Sequence, residues 1–306
     1  MKYDVVIIGA GPAGLTAGLY SARNGLKTAV ISKDIGGTAN SILILENWPG
    51  FYGSGAELMK QFYDGVKKYE IDFIMSEVDS IEKRKGEFSI KTKRGEITSK
   101  TIIISTGTER RKLKIAGEED FTGKGVSYCV TCDAFFFKGK TVAVVGGSDC
   151  AATSAVALTT LAKKVYVIYR GEKLRCEEVN AERLENDKKV EIIYHALPKK
   201  IEGDKKVEGL IISQKGKERK IKTDGIFVEI GSTPLVEFIK NLNLKLDNEN
   251  YIVVDDLMKT SVEGIFAAGD VTNSKVKQVV TASAQGAIAG KSAHDFLKVG
   301  SFEKRT

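Results

Sequence analysis

The sequence predicts an α/β fold made of two related units, each built on a parallel β-sheet, with the second unit inserted into the first. Two observations support the parallel sheets. An apolar segment, a glycine-rich turn and a helical segment follow one another near the start of the chain, and the same order recurs from Lys140 to Arg170. A third observation adds detail, because segments that alternate between apolar and polar residues follow each unit and predict two small antiparallel β-meanders.

The first unit begins with the run YDVVIIG at residues 3–9, which suits a strand buried on both faces of a parallel sheet. The next residues, GAGPAG, place Gly9, Gly11 and Gly14 in the G-x-G-x-x-G spacing. The first glycine permits a tight turn, the second lets a pyrophosphate approach the backbone, and the third lets the helix pack closely. A helix ending at Gly25 and a second strand follow, and this order predicts a Rossmann-like dinucleotide-binding domain.

The second unit repeats this order in the segment KTVAVVGGSDCAATSAVALTTLAKKVYVIYR. Two such units in one chain predict two nucleotide sites, one for a flavin and one for a second dinucleotide. One working site beside a relic is the alternative that the sequence leaves open.

The domain division follows from the segments between these units. Residues 76–105 and 192–230 show the two-residue alternation of β-meanders, whereas polar residues collect near Lys112–Glu118 and Asn241–Asn250. We expect the chain to cross between domains at those polar stretches. The prediction is a discontinuous domain of residues 1–113 and 244–306, with residues 114–243 forming the inserted domain.

Composition excludes several classes of protein. The chain has 306 residues, of which 42% are hydrophobic and 28% charged, and no apolar run approaches the length of a membrane span. The formal net charge is +7, but the basic residues alternate with acidic ones in runs such as EKRKGEFSIKTKRGE. This mixture is typical of a solvated surface and not of a nucleic-acid interface. We find no convincing signal peptide and expect a cytoplasmic protein that binds neither nucleic acid nor membrane.

A Cys-x-x-Cys pair, Cys129 and Cys132, is followed at once by Asp133. A zinc site needs three or four ligands, and the chain offers only His195 and His294 and no second such pair, so we expect no metal. A disulfide across so short a ring adds little stability. Redox chemistry therefore explains the pair best. Asp133 is the natural proton donor and acceptor, although helix capping is an alternative role for it.

The phenylalanines after the pair and the two other cysteines receive simpler interpretations. The three phenylalanines at 135–137 are expected to pack in a core or a domain interface. Cys150 and Cys176 each stand apart from the pair, and we expect them to be buried or incidental thiols.

Six motifs together resemble the low-molecular-weight thioredoxin reductases over essentially the whole chain. They are GAGPAG, ENWPGF (46–51), STG (105–107), CVTCDAFFF, GIFVEIGSTP and GIFAAGDV, and they occur in the order of that family. The resemblance implies an FAD domain made from both ends of the chain, a smaller pyridine-nucleotide domain that contains the dithiol, and a homodimer.

The resemblance also implies roles for individual residues. Cys132 would face the flavin, and Cys129 would attack the disulfide of thioredoxin or a thioredoxin-like protein. The implied FAD contacts are Gly9, Gly11, Pro12, Ala13, Gly14, Ser32, Gly37, Thr38, Asn47, Thr106, Gly107, Gly269, Asp270, Lys277, Gln278 and Val279. A helix predicted to begin near Thr281 would direct its positive end at the flavin, where charge collects on reduction.

The second nucleotide motif departs from the family pattern. The implied contacts with a nicotinamide nucleotide are Gly146, Gly147, Ser148, Asp149, Arg170 and Arg175. The family pattern begins with three consecutive glycines, and Ser148 stands at the third of these positions. Thr153 stands where the family has a glutamate. The side chain of Ser148 would crowd the approach of a pyrophosphate.

The electron donor is therefore left open between NADPH, NADH and a one-electron protein such as ferredoxin. Two further functions remain as alternatives: a flavoprotein resembling ferredoxin–NADP reductases, which lack the active dithiol, and a flavin-bound redox sensor.

Overall fold

The computed structural model describes residues 2–42, 45–84 and 86–299. The two ends of the predicted first domain, residues 1 and 300–306, lie outside these ranges. Within them the strands, in chain order, are β1 (Lys2–Ile8), β2 (Thr28–Ser32), β3 (Leu45–Trp48), β4 (Phe51–Gly53), β5 (Ile71–Met75), β6 (Val78–Arg84), β7 (Glu87–Thr92), β8 (Gly95–Ile104), β9 (Thr108–Arg110), β10 (Val126–Ser127), β11 (Thr141–Val145), β12 (Lys164–Ile168), β13 (Val190–Ile193), β14 (Ala196–Gly203), β15 (Val207–Gln214), β16 (Lys217–Lys222), β17 (Gly225–Val228), β18 (Ser232–Pro234) and β19 (Ile265–Ala267). The α-helices are α1 (Pro12–Arg23), α2 (Gly55–Val66), α3 (Val130–Asp133), α4 (Asp149–Thr159), α5 (Glu178–Glu185) and α6 (Val279–Val299), and 3₁₀ turns span Gly37–Ser41, Ala134–Phe137 and Glu237–Leu242.

The chain divides into two compact units. Unit 1 contains the residues up to Glu109 and those from Thr233 onward, and unit 2 is Arg110–Ser232. The two passages of the chain between the units lie in β9 and β18, which form a two-stranded sheet. None of the helices within the described ranges has the length and apolar character needed to cross a bilayer.

Unit 1 is built on a sheet with the strand order β5-β2-β1-β8-β7-β6, and β19 also pairs with β8. The strands β5, β2, β1, β8 and β19 are parallel, while β6 and β7 continue the sheet in antiparallel pairing. Ile7 of β1 pairs with Val30 and Ile103 on its two sides and is fully buried. The central strand is therefore apolar because both of its faces are covered.

Helices α1 and α6 pack closely beside this sheet. A methyl group built on Gly286 would lie 2.1 Å from the carbonyl oxygen of Ala13, so α6 can approach α1 only with a glycine at that position. This contact fixes the first half of α6 beside the first turn of α1. The helix begins at Val279, close to the start near Thr281 predicted from the sequence.

Unit 2 is built on a five-stranded parallel sheet with the order β10-β17-β11-β12-β13. Val144 at its centre pairs with Val167 and Phe227, and all three side chains are buried. A separate antiparallel sheet contains β14, β15 and β16. Both units thus contain the parallel sheet that the glycine-rich turns predicted.

Candidate active site

The Cys-x-x-Cys pair lies on the short helix α3 of unit 2. Cys129 precedes the helix in extended conformation, and its sulfur is bonded to that of Cys132 with an S–S length of 2.09 Å. The hydroxyl of Ser127 accepts a hydrogen bond from the backbone N–H of Cys129 at 3.0 Å. The backbone N–H of Cys132 points at the sulfur of Cys129 at 3.2 Å. Cys132 is exposed and Cys129 is half-buried, so one end of the disulfide is open at the surface of the unit.

Asp133 ends this helix and is half-buried. Its side chain makes no capping hydrogen bond to the 3₁₀ turn that follows, so the capping role considered from the sequence is not what holds it. Of the phenylalanines expected to be core or interface residues, only Phe137 is buried, and its ring lies 5.3 Å from that of Phe227. Phe135 and Phe136 are 72% and 69% exposed, which corrects the expectation of a core position for these two.

A buried carboxylate that the sequence reasoning missed supports the dithiol segment. Glu118 is 2% exposed and accepts hydrogen bonds from the backbone N–H groups of Leu113 (2.7 Å) and Lys114 (2.6 Å). It also accepts a hydrogen bond from the hydroxyl of Tyr128, the residue before Cys129, at 2.6 Å. Burial and the neighbouring carboxylate raise the pKa of Tyr128. No spacing rule links Glu118 to the cysteines, so only the fold reveals this contact.

The glycine-rich turn of unit 1 has the geometry of a pyrophosphate site. Gly9 has φ +105°, and a methyl group on Gly14 would lie 1.8 Å from the carbonyl oxygen of Gly9. Gly11 differs from both, because the nearest atom to a methyl group there is the carbonyl oxygen of Gly36 at 3.8 Å. The first and third glycines are thus required by the fold, while the second leaves open space beside the N-terminus of α1.

The neighbouring contacts expected for FAD lie around the same turn. Pro12 is at the first position of α1, where its missing N–H costs no helical hydrogen bond, and Ala13 packs against α6. Ser32 ends β2, next to β1 in the sheet. Gly37 comes close to Gly11, since a methyl group on Gly37 would lie 3.6 Å from the Cα atom of Gly11. Thr38 follows Gly37 in the 3₁₀ turn.

Residues from distant parts of the chain meet at the expected flavin edge of unit 1. The side-chain amide of Asn47 donates a hydrogen bond to the amide oxygen of Gln278 at 3.1 Å, across 231 residues of sequence. Thr106 donates from its hydroxyl to the carbonyl of Leu235 at 3.0 Å, and Gly107 has φ +65°. The structure therefore brings Asn47 and Gln278 together.

Asp270 and Lys277 border the same region. Lys277 Nζ binds the backbone carbonyls of Asp270 (2.8 Å) and Thr272 (2.9 Å) and lies 3.8 Å from the centre of the Tyr251 ring. Burial raises the pKa of the Asp270 carboxyl and lowers the pKa of Lys277. Within the described ranges no side chain or backbone group donates a hydrogen bond to the Asp270 carboxylate, which leaves it available to a ligand hydroxyl.

Two other expected FAD contacts complete this edge. Gly269 has φ +82°, and its N–H donates to the side-chain oxygen of Gln285 on α6 at 2.7 Å. Val279 is the first residue of α6 and is buried. The residues present thus fit FAD at the turn, along the ribitol side and at the start of α6.

The second glycine-rich turn lies in unit 2, at the start of α4. Gly146 has φ +151°, and Ser148 precedes the helix with φ −91° and ψ 177°, close to the values of Gly11 in unit 1 (−78° and −170°). The carboxylate of Asp149 accepts the N–H of Glu177 at 2.6 Å. The backbone frame of a nucleotide turn is therefore present, but Ser148 adds a side chain where unit 1 has none.

The residues expected to hold a nicotinamide nucleotide differ in their contacts with this turn. The N–H of Arg175 donates to the carbonyl of Gly147 at 2.6 Å, while the side chains of Arg175 and Arg170 are exposed. The ring of Tyr169 covers Gly147, because a methyl group on that glycine would lie 2.3 Å from the ring. The backbone of Arg175 and the ring of Tyr169 therefore lie at this turn.

Comparison with known proteins identifies the family. The family model for pyridine nucleotide-disulphide oxidoreductases matches residues 3–286. A thioredoxin reductase of Listeria monocytogenes is 39% identical over 301 residues, which cover 97% of this chain and 94% of that protein. The chain belongs to the thioredoxin reductase family. The resemblance drawn from the six motifs is confirmed.

Solved structures agree with this membership. The crystal structure of Lactococcus lactis thioredoxin reductase matches with a TM-score of 0.95 at 36% identity, covering 97% of this chain and 99% of that one. A ferredoxin-flavin thioredoxin reductase of Clostridium acetobutylicum matches with a TM-score of 0.52 at 34% identity, covering 97% and 98%. The predicted α/β class is confirmed, and the chain is a flavin-dependent disulfide reductase in which Cys129 and Cys132 form a disulfide.

Proposed function

We propose that this enzyme reduces the disulfide of thioredoxin or a thioredoxin-like protein, with electrons that pass from FAD in unit 1 to the Cys129–Cys132 pair in unit 2. The observation that supports this best is the disulfide itself, which lies on a one-turn helix with Cys132 exposed and Asp133 next to it. A structural staple would not need an exposed cysteine or an adjacent carboxylate.

The dithiol chemistry follows from the geometry of the pair. Two electrons and two protons convert the disulfide into two thiols. Cys129 then attacks the partner's disulfide as a thiolate and forms a mixed disulfide, and Cys132 resolves it, which releases the partner as a dithiol and restores the Cys129–Cys132 bond. The N–H of Cys132 favours the thiolate form of Cys129, because it donates toward that sulfur at 3.2 Å. This contact supports Cys129 as the attacking residue.

Asp133 is proposed to move the protons of this exchange. It is adjacent to Cys132 in the chain, is half-buried, and has no capping bond that would occupy its carboxylate. A carboxylate in that position can accept a thiol proton before the attack and return it to the leaving sulfur.

FAD, when bound, supplies the two electrons that open the disulfide. We propose that the turn from Gly9 to Gly14 holds the pyrophosphate at the start of α1, with Ser32, Gly37 and Thr38 on the adenosine side. Asp270 would accept a hydrogen bond from the ribitol chain. Asn47, Thr106, Gly107 and the residues Lys277, Gln278 and Val279 would border the flavin, where the N-terminus of α6 favours negative charge on the reduced ring.

A one-electron protein donor of the ferredoxin type is the second candidate for the source of electrons, beside NADPH or NADH. Ser148 at the second turn favours it, because a side chain at this position would crowd the approach of a pyrophosphate. The name of the Clostridium acetobutylicum relative supports it as well, since that protein is a ferredoxin-flavin thioredoxin reductase. We further propose that the enzyme acts as a homodimer in the cytoplasm.

The test is a trapping experiment on the FAD-containing protein after chemical reduction under anaerobic conditions. The wild type should reduce the disulfide of thioredoxin, whereas Cys132→Ser should keep its flavin spectrum and stop at a mixed disulfide between Cys129 and the partner. Cys129→Ser should also keep its flavin and form no such adduct. Protein that purifies without flavin, or a Cys132→Ser variant that still turns over, would contradict the proposal.

A further inference from the structure

An ion pair with a buried carboxylate lies at the carboxyl end of β17 in unit 2. Arg110 Nη1 lies 2.6 Å from Glu229 Oε2, and the Glu229 side chain is only 2% exposed. Two residues of α4 complete the cluster. The sulfur of Cys150 lies 3.0 Å from Glu229 Oε2 and 2.9 Å from Arg110 Nη1, and the hydroxyl of Ser154 donates to Glu229 Oε1 at 2.9 Å. Both carboxylate oxygens are therefore occupied by groups of the chain itself.

Burial and the nearby carboxylate raise the pKa of the Cys150 thiol to about 11, so this sulfur stays protonated at neutral pH. It acts as a donor to Glu229 and has no thiolate with which to attack a disulfide. The cluster is thus a closed polar contact and not a third redox group.

Glu229 occupies the position in unit 2 that Ser105 occupies in unit 1. Each residue directly follows the strand beside the first strand of its glycine-rich turn, namely β17 and β8. The backbone contacts agree, because a methyl group on Gly9 would lie 2.3 Å from the carbonyl oxygen of Ser105 and one on Gly146 would lie 2.2 Å from that of Glu229. The two turns can therefore be compared residue by residue.

The side chains at this shared position behave in opposite ways. The hydroxyl of Ser105 turns back to the carbonyl oxygens of Ile8 (3.0 Å) and Gly9 (3.1 Å), so it stays within the strand ends. The carboxylate of Glu229 instead reaches over the first two turns of α4 to Cys150 and Ser154. At this position the unit 1 side chain stays at the strand ends, and the unit 2 side chain extends to α4.

This edge of the unit 2 sheet is the place where a dinucleotide would lie. In folds of this type the ligand binds outside the carboxyl ends of the strands, with its pyrophosphate on the glycine-rich turn and its adenosine toward the strand after the first helix. In unit 2 that strand is β12, so the nicotinamide half would extend to the other side, past the end of β17. Arg110 and Glu229 lie there.

We propose that the Arg110–Glu229 ion pair, held by Cys150 and Ser154, excludes the nicotinamide half of NADH and NADPH from unit 2. This rests on the proposed flavin and dithiol function and deepens it by naming the donor class, a protein that delivers single electrons to the flavin without using this cleft. Two such deliveries, with two protons, supply the electrons that open the Cys129–Cys132 disulfide. Admitting a nicotinamide would require separating Arg110 from Glu229, which leaves the buried Glu229 carboxylate without its partner.

The experiment compares three forms of the FAD-containing enzyme in anaerobic titrations with NADH and NADPH. Arg110→Met/Glu229→Ser removes both charges together, so no unpaired charge stays buried, and the serine reproduces the residue found in unit 1. The control is Lys164→Met/Glu191→Ala, which removes an ion pair near the opposite, amino edge of the same sheet. In that pair Lys164 Nζ lies 2.5 Å from Glu191 Oε2. Nucleotide fluorescence reports binding and flavin absorbance reports reduction, while melting curves and flavin content verify that each form is folded.

The wild type and the control should show neither binding nor flavin bleaching up to about 1 mM of either dinucleotide, and the Arg110→Met/Glu229→Ser variant should bind at least about tenfold more tightly. Binding or bleaching of the wild type in the micromolar range would overturn the proposal, even if the variant does not fold. A folded variant with no gain in binding would overturn it as well. Disulfide reduction after chemical reduction of the wild type is measured in parallel. If that fails, the proposed function is wrong, whatever the nucleotides do.

Discussion

The hydroxyl of Tyr128 donates a hydrogen bond to the buried carboxylate of Glu118, with 2.6 Å between the two oxygens. The same carboxylate binds the N–H groups of Leu113 and Lys114, a few residues after the chain enters unit 2. Because Tyr128 directly precedes Cys129, Glu118 ties the first segment of unit 2 to the residue in front of the redox pair.

Replacing Tyr128 by Phe should therefore destabilise the protein by about 1 kcal/mol, the usual net value of one hydrogen bond with a buried acceptor. Flavin content should not change, since the proposed FAD site lies in unit 1. Urea unfolding measures the loss. The matched control is Tyr194→Phe, because Tyr194 is also half-buried in unit 2 and no hydrogen bond of its hydroxyl is found in the described part of the chain. Equal losses in the two variants would mean that the Glu118 contact contributes nothing specific.

Asp133→Asn should slow disulfide reduction by about 10²-fold, the lower range for loss of a general acid–base group. The flavin spectrum and the Cys129–Cys132 bond should remain. Rates are measured with chemically reduced enzyme. Asp120→Asn, an exposed carboxylate of the same unit, is the control and should react like the wild type. Unchanged rates in Asp133→Asn would assign the proton transfer elsewhere.

Asp270 should affect the stability of the flavin-free protein and the binding of FAD in opposite directions. Burial raises its pKa in the folded state, so the folded protein holds this proton more tightly than the unfolded chain does. Stability therefore falls as pH rises from the ordinary carboxyl pKa through the raised value. Asp270→Asn should remove that loss and stabilise the flavin-free protein at pH 7, yet weaken FAD binding, because the amide is a poorer acceptor for a ribitol hydroxyl.

Melting curves of flavin-free protein at pH 4 and pH 7, with FAD titrations beside them, test this prediction. Asp79→Asn serves as the control, since Asp79 is an exposed residue of the same unit. Tighter FAD binding by Asp270→Asn would contradict the assigned contact.

Gly11→Ala and Gly14→Ala should separate ligand binding from folding at one turn. The methyl group in Gly14→Ala would lie 1.8 Å from the carbonyl oxygen of Gly9, so α1 must move and the protein should unfold or lose several kcal/mol of stability. The methyl group in Gly11→Ala has no protein atom nearer than 3.8 Å, so the flavin-free protein should fold normally and bind FAD at least about tenfold more weakly. Melting curves and flavin content distinguish the two, and a flavin-replete Gly11→Ala variant would argue against a pyrophosphate at this turn.

Short-range patterns in the sequence predicted the parts of the molecule that depend on neighbours in the chain. The spacing of Gly9, Gly11 and Gly14 predicted the turn and the helix after it, and the apolar run before them predicted a strand buried on both faces. The three-residue separation of Cys129 and Cys132 likewise permits the disulfide that the structure contains. These features follow from local backbone geometry, which a few consecutive residues determine.

The tertiary structure decided which distant residues meet. The sequence shows no relation between Arg110 and Glu229, which are 119 residues apart, or between Asn47 and Gln278, and it does not reveal that Phe137 is buried while Phe135 and Phe136 are exposed. Such contacts depend on the order of strands in each sheet and on how helices pack against them, and no short window of residues encodes that order. The sequence thus determined the turns and the dithiol, and the assembled sheets determined which side chains surround them.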